Sequence, residues 1–140
     1  MIYSPKSRVL TPAQTDAFAR ELDALRAQTL PTLGANDARY IRRVYAAVRY
    51  SGLLGRLLLV LGALAAGLWW PSLFWPSWIA GVALLAFSKI LENMELAHNV
   101  IHGQYDWMRD PRFEGQRYEW DIAGTAENWR VTHNFRHHTY

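Results

Sequence analysis

The residues of this chain best suited to chemistry are its histidines, and all of them lie in its final third. His98 and His102 stand in ELAHNVIHG, and His133, His137 and His138 stand in THNFRHHTY. Each group contains a pair four residues apart, and on a helix such pairs share a face, one turn above the other. Two imidazoles so placed reach one metal ion, or one each of a close pair. His138 follows His137 directly and points to a different side, so the second group can feed two neighbouring metals. Neutral imidazole suits iron, copper and zinc. The chain has no cysteine, which excludes disulfides and thiolate metal sites. Asn99, not Glu, follows His98, so the first pair is not the zinc-protease motif. A surface tract of histidines is the ordinary alternative. Two histidine groups on separate helices, with no cysteine, favour more than one metal ion.

The elements that must position these residues include a long uncharged block. Residues 57–88 carry no Asp, Glu, Lys or Arg, although the chain as a whole has 15 basic and 12 acidic residues. Leu53–Trp70 and Phe74–Leu91 read as two apolar helices, each close to the length that crosses a bilayer core. Neither has a polar face, which argues against a soluble helical hairpin. The turn between them holds Pro71 and Pro76, and Trp69, Trp70, Trp75 and Trp78 surround it as an interfacial aromatic belt would. Arg56 and Lys89 flank the block. Basic residues gather before the first apolar helix, so the positive-inside rule places the N-terminus, and with it everything after Leu91, on the cytoplasmic side. A net charge of +3 and a pI near 9.4 could fit a nucleic-acid binder, but this charge placement excludes that class.

Two shorter helices are expected before the block. Thr11–Thr29 has Thr11 as N-cap, Pro12 at the first helical position, Gln14 completing a capping box, and Phe18, Leu22 and Leu25 on one face. Asn36 is expected to cap a second helix reaching about Tyr50, with Ile41, Val44, Tyr45 and Val48 as its apolar stripe. That basic helix either lies on a membrane surface or packs against the cap. The expected organisation is thus all-α: N-terminal interfacial helices over residues 1–52, a membrane-spanning hairpin over 53–91, and a cytosolic histidine-bearing region over 92–140.

The run HNVIHGQYDWMRDP, followed after an intervening stretch by a tryptophan and HNFRHHTY, resembles the membrane-bound fatty acid desaturase family. In that family a first histidine box follows the second transmembrane helix, and a second box, ending in a histidine doublet, follows after a cytosolic stretch. The resemblance covers residues 53–140. It implies a di-iron site ligated by His98, His102, His133, His137 and His138, O2 as co-substrate, and insertion of a cis double bond into a fatty acyl chain. It also implies electrons from a ferredoxin or a small cytochrome. The family's four-span fold carries a third box further along a longer chain. The resemblance therefore implies that this sequence is a fragment carrying the first two boxes, incomplete and inactive alone.

No catalytic residue beyond the metal ligands is assigned. Asn99, Asn134, Glu95 and Asp106 are candidates to orient the imidazoles through their second ring nitrogens, although each also fits an ordinary interfacial role. Trp107, Trp120 and Trp129 either line an acyl channel or pack the cap. Arg109, Arg112, Arg117 and Arg130 could meet an anionic head group. Two alternatives to desaturation stand beside it: a related membrane hydroxylase acting on an alkane, sterol or carotenoid, and a non-catalytic membrane hairpin with an incidental metal-binding tail.

Overall fold

The structure is a computed structural model that describes residues 10–121 and 124–137; His138 lies outside them. The described residues are helical and turn structure with no strand, as the sequence leads one to expect. The chain divides into two compact units, Met1–Asp37 and Ala38–Tyr140.

The first unit is built on α1, Pro12–Thr29. Thr11 caps it as expected: its hydroxyl accepts from the Gln14 N–H, and the Gln14 side chain accepts from the Thr11 N–H at 2.9 Å. A short 3-10 turn at Leu30–Thr32 ends it. None of its residues is buried, Phe18, Leu22 and Leu25 included.

The next helix, α2, spans Ala35–Leu68. It starts one residue before the expected cap Asn36, because Asp37 accepts the Gly34 N–H at 2.9 Å. The sequence predicts two helices here, and the structure has one. Ser51 and Gly52 do not break it: no proline intervenes, and the Ser51 hydroxyl bonds back to Ala47 O at 2.6 Å. The stripe Ile41, Val44, Tyr45 and Val48 packs against the core of the histidine-bearing region.

A 3-10 turn at Pro71–Leu73 leads into α3, Phe74–Leu91. Pro76 falls in its first turn, where a missing N–H costs nothing. A π-helical segment, Glu92–Ala97, and a short α4, His98–Ile101, prolong the same helical run. Ala35–Leu68 and Pro71–Ile101 are both long and apolar enough to cross a membrane. Only 17% and 11% of their most apolar windows are buried, where the core helix of a soluble protein would be mostly buried.

Small residues line the seam between α2 and α3. A Cβ on Gly62 would lie 2.3 Å from Ser77 Cβ, and one on Gly55 would lie 2.9 Å from Gly81 O, so only glycine lets the backbones come this close. Ser88, buried at 3% exposure, donates across the seam to Val48 O at 2.8 Å. Large side chains such as Leu57, Leu61, Leu64 and Leu68 point outward, and Trp69, Trp70, Trp75 and Trp78 stand exposed around the tip.

Beyond α4 the chain forms a compact cap. Its core takes in the end of the preceding helical run: Phe113, Leu96 and Val100 are the largest fully buried side chains, joined by Ala97, Ile101, Tyr118, Trp120 and Ala126. Phe113 meets Tyr45 of α2 edge-on, with centroids 5.5 Å apart. The last described elements are α5, Ala126–Trp129, capped by Thr125, and a π-helical segment, Arg130–His137.

Candidate metal centre

Each histidine group sits beside or within a π-helical segment. In both places a side chain competes for a backbone carbonyl. Asn99 Nδ2 donates to Glu95 O at 2.7 Å, and Thr132 Oγ1 donates to Asn128 O at 2.7 Å. Such bonds offer the backbone an alternative to its regular ladder, and π segments gather at functional sites. The first segment precedes His98, so its wider turn rotates the face that α4 presents. His102, just past α4, keeps the helical bond from its N–H to His98 O at 3.2 Å. The second pair was expected on an α-helix and lies in the π segment instead. The wider turn brings residues four apart nearer to eclipse, and the His133 and His137 rings stack 5.1 Å apart at 27°.

The two groups converge. His98, His102 and His133, all half-buried, each offer one ligand nitrogen, and these atoms lie within 4.8 Å of one another. Their ring centroids are 4.8 to 5.2 Å apart. Metal–imidazole bonds of about 2.1 Å place two nitrogens on a common ion no more than about 4.2 Å apart. A small inward rotation of the rings therefore accommodates an ion. The donor set of neutral nitrogens fits a transition metal and not calcium or magnesium.

A loop holds the two groups at this spacing. Gly103, at the end of the first group, has φ of 74°, a conformation suited to glycine. Gly115 lies against it: a Cβ there would sit 2.6 Å from Val100 O and 3.0 Å from Gly103 Cα. Arg130, at the start of the second group, bonds Gly115 O at 3.1 Å and Tyr118 O at 2.7 Å. Asn134 Nδ2 donates to Ile101 O at 3.2 Å, a direct link between the two histidine-bearing segments. Its Oδ1 is buried without a hydrogen-bond partner. A cavity of about 310 Å³ beside them is lined by His102, Asp106, Gly115, Arg130 and Asn134 among others.

The other polar neighbours hold the cap together. Glu95 Oε1 accepts from the Tyr40 hydroxyl at 3.2 Å, and Asp106 Oδ1 accepts the Gly115 N–H at 2.9 Å. Asn99 bonds within its own helix. Arg112 grips Asp110 through two bonds, of 3.0 and 2.7 Å, and the guanidinium holds that carboxyl down from 3.8 to about 2. Arg56 and Lys89 meet at Asp121, and these cations draw its carboxyl down too, Lys89 foremost. Burial pushes the Tyr118 phenol well up. Trp129 is the neighbour whose place the sequence left open between channel and packing. Its ring contacts His98, His102 and His133. The four-residue step from Trp129 to His133 was the available signal.

The fold and this cluster define an all-helical protein that sets three converging histidines, a group that could hold a metal ion, beside two membrane-length helices. The chain is 46% identical over 131 residues, 94% of its length, to proteins named NADPH-dependent stearoyl-CoA 9-desaturase in two strains of Mycobacterium tuberculosis. This similarity supports a place in the fatty acid desaturase family, and the chain spans 28% of the length of those relatives. No protein-family model matches the chain, and no solved structure matches it significantly.

Proposed function

We propose that this chain supplies the first two histidine-bearing segments of a membrane-embedded, iron-dependent fatty acid desaturase. The observation that carries the reading is the convergence of His98, His102 and His133 from two separate segments, in a chain similar to stearoyl-CoA desaturases over nearly all its length. In this reading His137 and His138 join them to hold a pair of irons. Asn134 ties the second segment to the first.

Iron, when bound, supplies the O2 activation that breaking unactivated C–H bonds demands. The net change breaks two C–H bonds on adjacent carbons of a fatty acyl chain, forms one C=C bond, and reduces O2 to two waters. The two electrons come from a ferredoxin or small cytochrome, fed from NADPH as the relatives' name indicates, and two protons are taken up. This chain's residues hold the metal, fix its position at the end of the apolar helices and shelter it beneath the cap. α2 and α3 cross the bilayer with their tryptophan-rich tip at the far interface. The histidine groups then face the cytoplasm, where an acyl chain leaving the membrane reaches them.

The test is product analysis. The protein as its gene encodes it is expressed in membranes with a ferredoxin-type donor and supplied with stearoyl-CoA. Mass spectrometry of the acyl chains is expected to show a monounsaturated product that His133→Ala abolishes. An alcohol product would assign the chain to the hydroxylases. Iron-loaded membranes that yield neither product would leave the non-catalytic hairpin.

A further inference from the structure

We infer that Trp129 is the positioning residue of the histidine cluster, its indole setting the ring planes of His98, His102 and His133 so that their nitrogens face a common ion. The inference rests on the metal-centre reading above. Three contacts carry it. The His133 imidazole stacks on the indole with centroids 4.0 Å apart and planes 22° apart. His98 and His102 meet the same indole edge-on, at 5.2 Å and 74° and at 5.4 Å and 76°. One aromatic ring thus touches each of the three rings whose nitrogens converge.

The geometry of imidazole explains why such a contact orients without obstructing. Both ring nitrogens lie in the ring plane, with their lone pairs or hydrogens in that plane. A partner stacked on the face fixes the plane and leaves the donor edge open. A restraint of this kind is needed because the torsion that turns a histidine ring is broad and nearly two-fold. At many metal centres a carboxylate holds the second nitrogen and does this work. Here Glu95 accepts from Tyr40 and Asp106 from Gly115, and the indole adds its own restraint on the ring planes.

The indole is itself held. Trp120, 8% exposed, packs edge-on against it at 5.5 Å and 78°, and Trp120 Nε1 donates to Gly124 O at 2.7 Å. The Trp129 backbone N–H bonds Thr125 O at 3.2 Å, which fixes the residue's main chain in the turn that Thr125 caps. The step from Trp129 to His133 places both on one face of the same helical run. The platform and the ligand it stacks on therefore move together.

The experiment compares Co2+ binding by the protein as its gene encodes it, by Trp129→Met and by Trp129→Phe. Visible absorption reports the coordination geometry and titration reports the affinity. The Met variant keeps an apolar side chain of similar reach without a ring. It is expected to bind Co2+ about 10- to 100-fold more weakly, the range seen when support behind metal ligands is lost, and to show an altered d–d band. The Phe variant keeps a ring face and is expected to recover the wild-type band and most of the affinity. Wild-type affinity and an unchanged band in Trp129→Met would overturn the inference. A wild-type protein that takes up no Co2+ would overturn the metal-centre reading and the inference with it, an outcome told apart by the wild-type titration alone. If Trp129→Met loses its helical circular dichroism, the proton NMR spectrum of the metal-free wild type decides. His133 ring protons shifted upfield by the indole are expected, and unshifted ones would overturn the inference.

Discussion

The helix pair α2–α3 and the cap are built on opposite plans. Along the helix pair small residues face inward, Gly55 and Gly62 against Gly81 and Ser77, and the leucines face out. In the cap the large side chains Phe113, Leu96 and Val100 are inside, and the charged residues Arg112, Arg117 and Glu119 are outside. Water rewards the second plan, since buried apolar area is its main source of stability. Hydrocarbon gives leucine no reason to hide, so close backbone packing and a cross-helix hydrogen bond hold such helices together. The contrast is what a protein facing two solvents requires, and the histidines stand where the two plans meet.

The largest expected effect separates the two regions directly. Phe113→Ala empties a fully buried site and should cost about 3–5 kcal/mol, read as a lower unfolding midpoint in detergent. Leu64→Ala, on the outward face at 55% exposure, should cost within about 0.5 kcal/mol. Equal losses would mean that the outward leucines are packed against something and that the contrast is false.

Glycine substitutions sharpen the same comparison by sign. Alanine is favoured over glycine in a helix by about 1 kcal/mol. Gly67, with nothing within 4 Å of an added Cβ, should gain from Gly67→Ala. Gly62→Ala drives a methyl into Ser77 and should lose about 1–3 kcal/mol in spite of its propensity. Thermal unfolding of the two variants side by side reads the difference, and a stabilised Gly62→Ala would show the seam to be loose.

The smallest effect belongs to the cap surface. Asp110 is held at about 2, below its usual 3.8, chiefly by its bonds from Arg112. Its contribution to stability is complete above 3.8 and fades as pH falls through about 2. Asp110→Asn should therefore flatten the loss of stability across that window and leave the profile near neutrality of similar shape. Acid titration of circular dichroism checks it.

Much of this was legible in the sequence. The capping box at Thr11 and Gln14, the two apolar runs and the tryptophans at their turn all follow from local patterns. So does the pairing of His98 with His102, which needs one helical turn. The merging of two expected helices, one reaching about Tyr50 and one starting at Leu53, into α2 was not legible; at that junction Gly52 lies against Ser88, which bonds Val48 O. Nor were the π segments, which arise where Asn99 and Thr132 compete for backbone carbonyls. The meeting of His133 with the first pair depends on Gly115, Arg130 and Asn134 acting across long loops, which no local pattern encodes. His138 lies outside the described residues.

If the two histidine groups form one metal centre, as proposed, metal binding depends on both. The most direct measurement is the metal content of the purified protein, as its gene encodes it, by elemental analysis, wild type beside His98→Ala and His133→Ala. Iron is expected in the wild type and is expected to be lost from both variants, although the two residues come from different segments. Iron retained by either variant, with its helical circular dichroism intact, would contradict a shared centre.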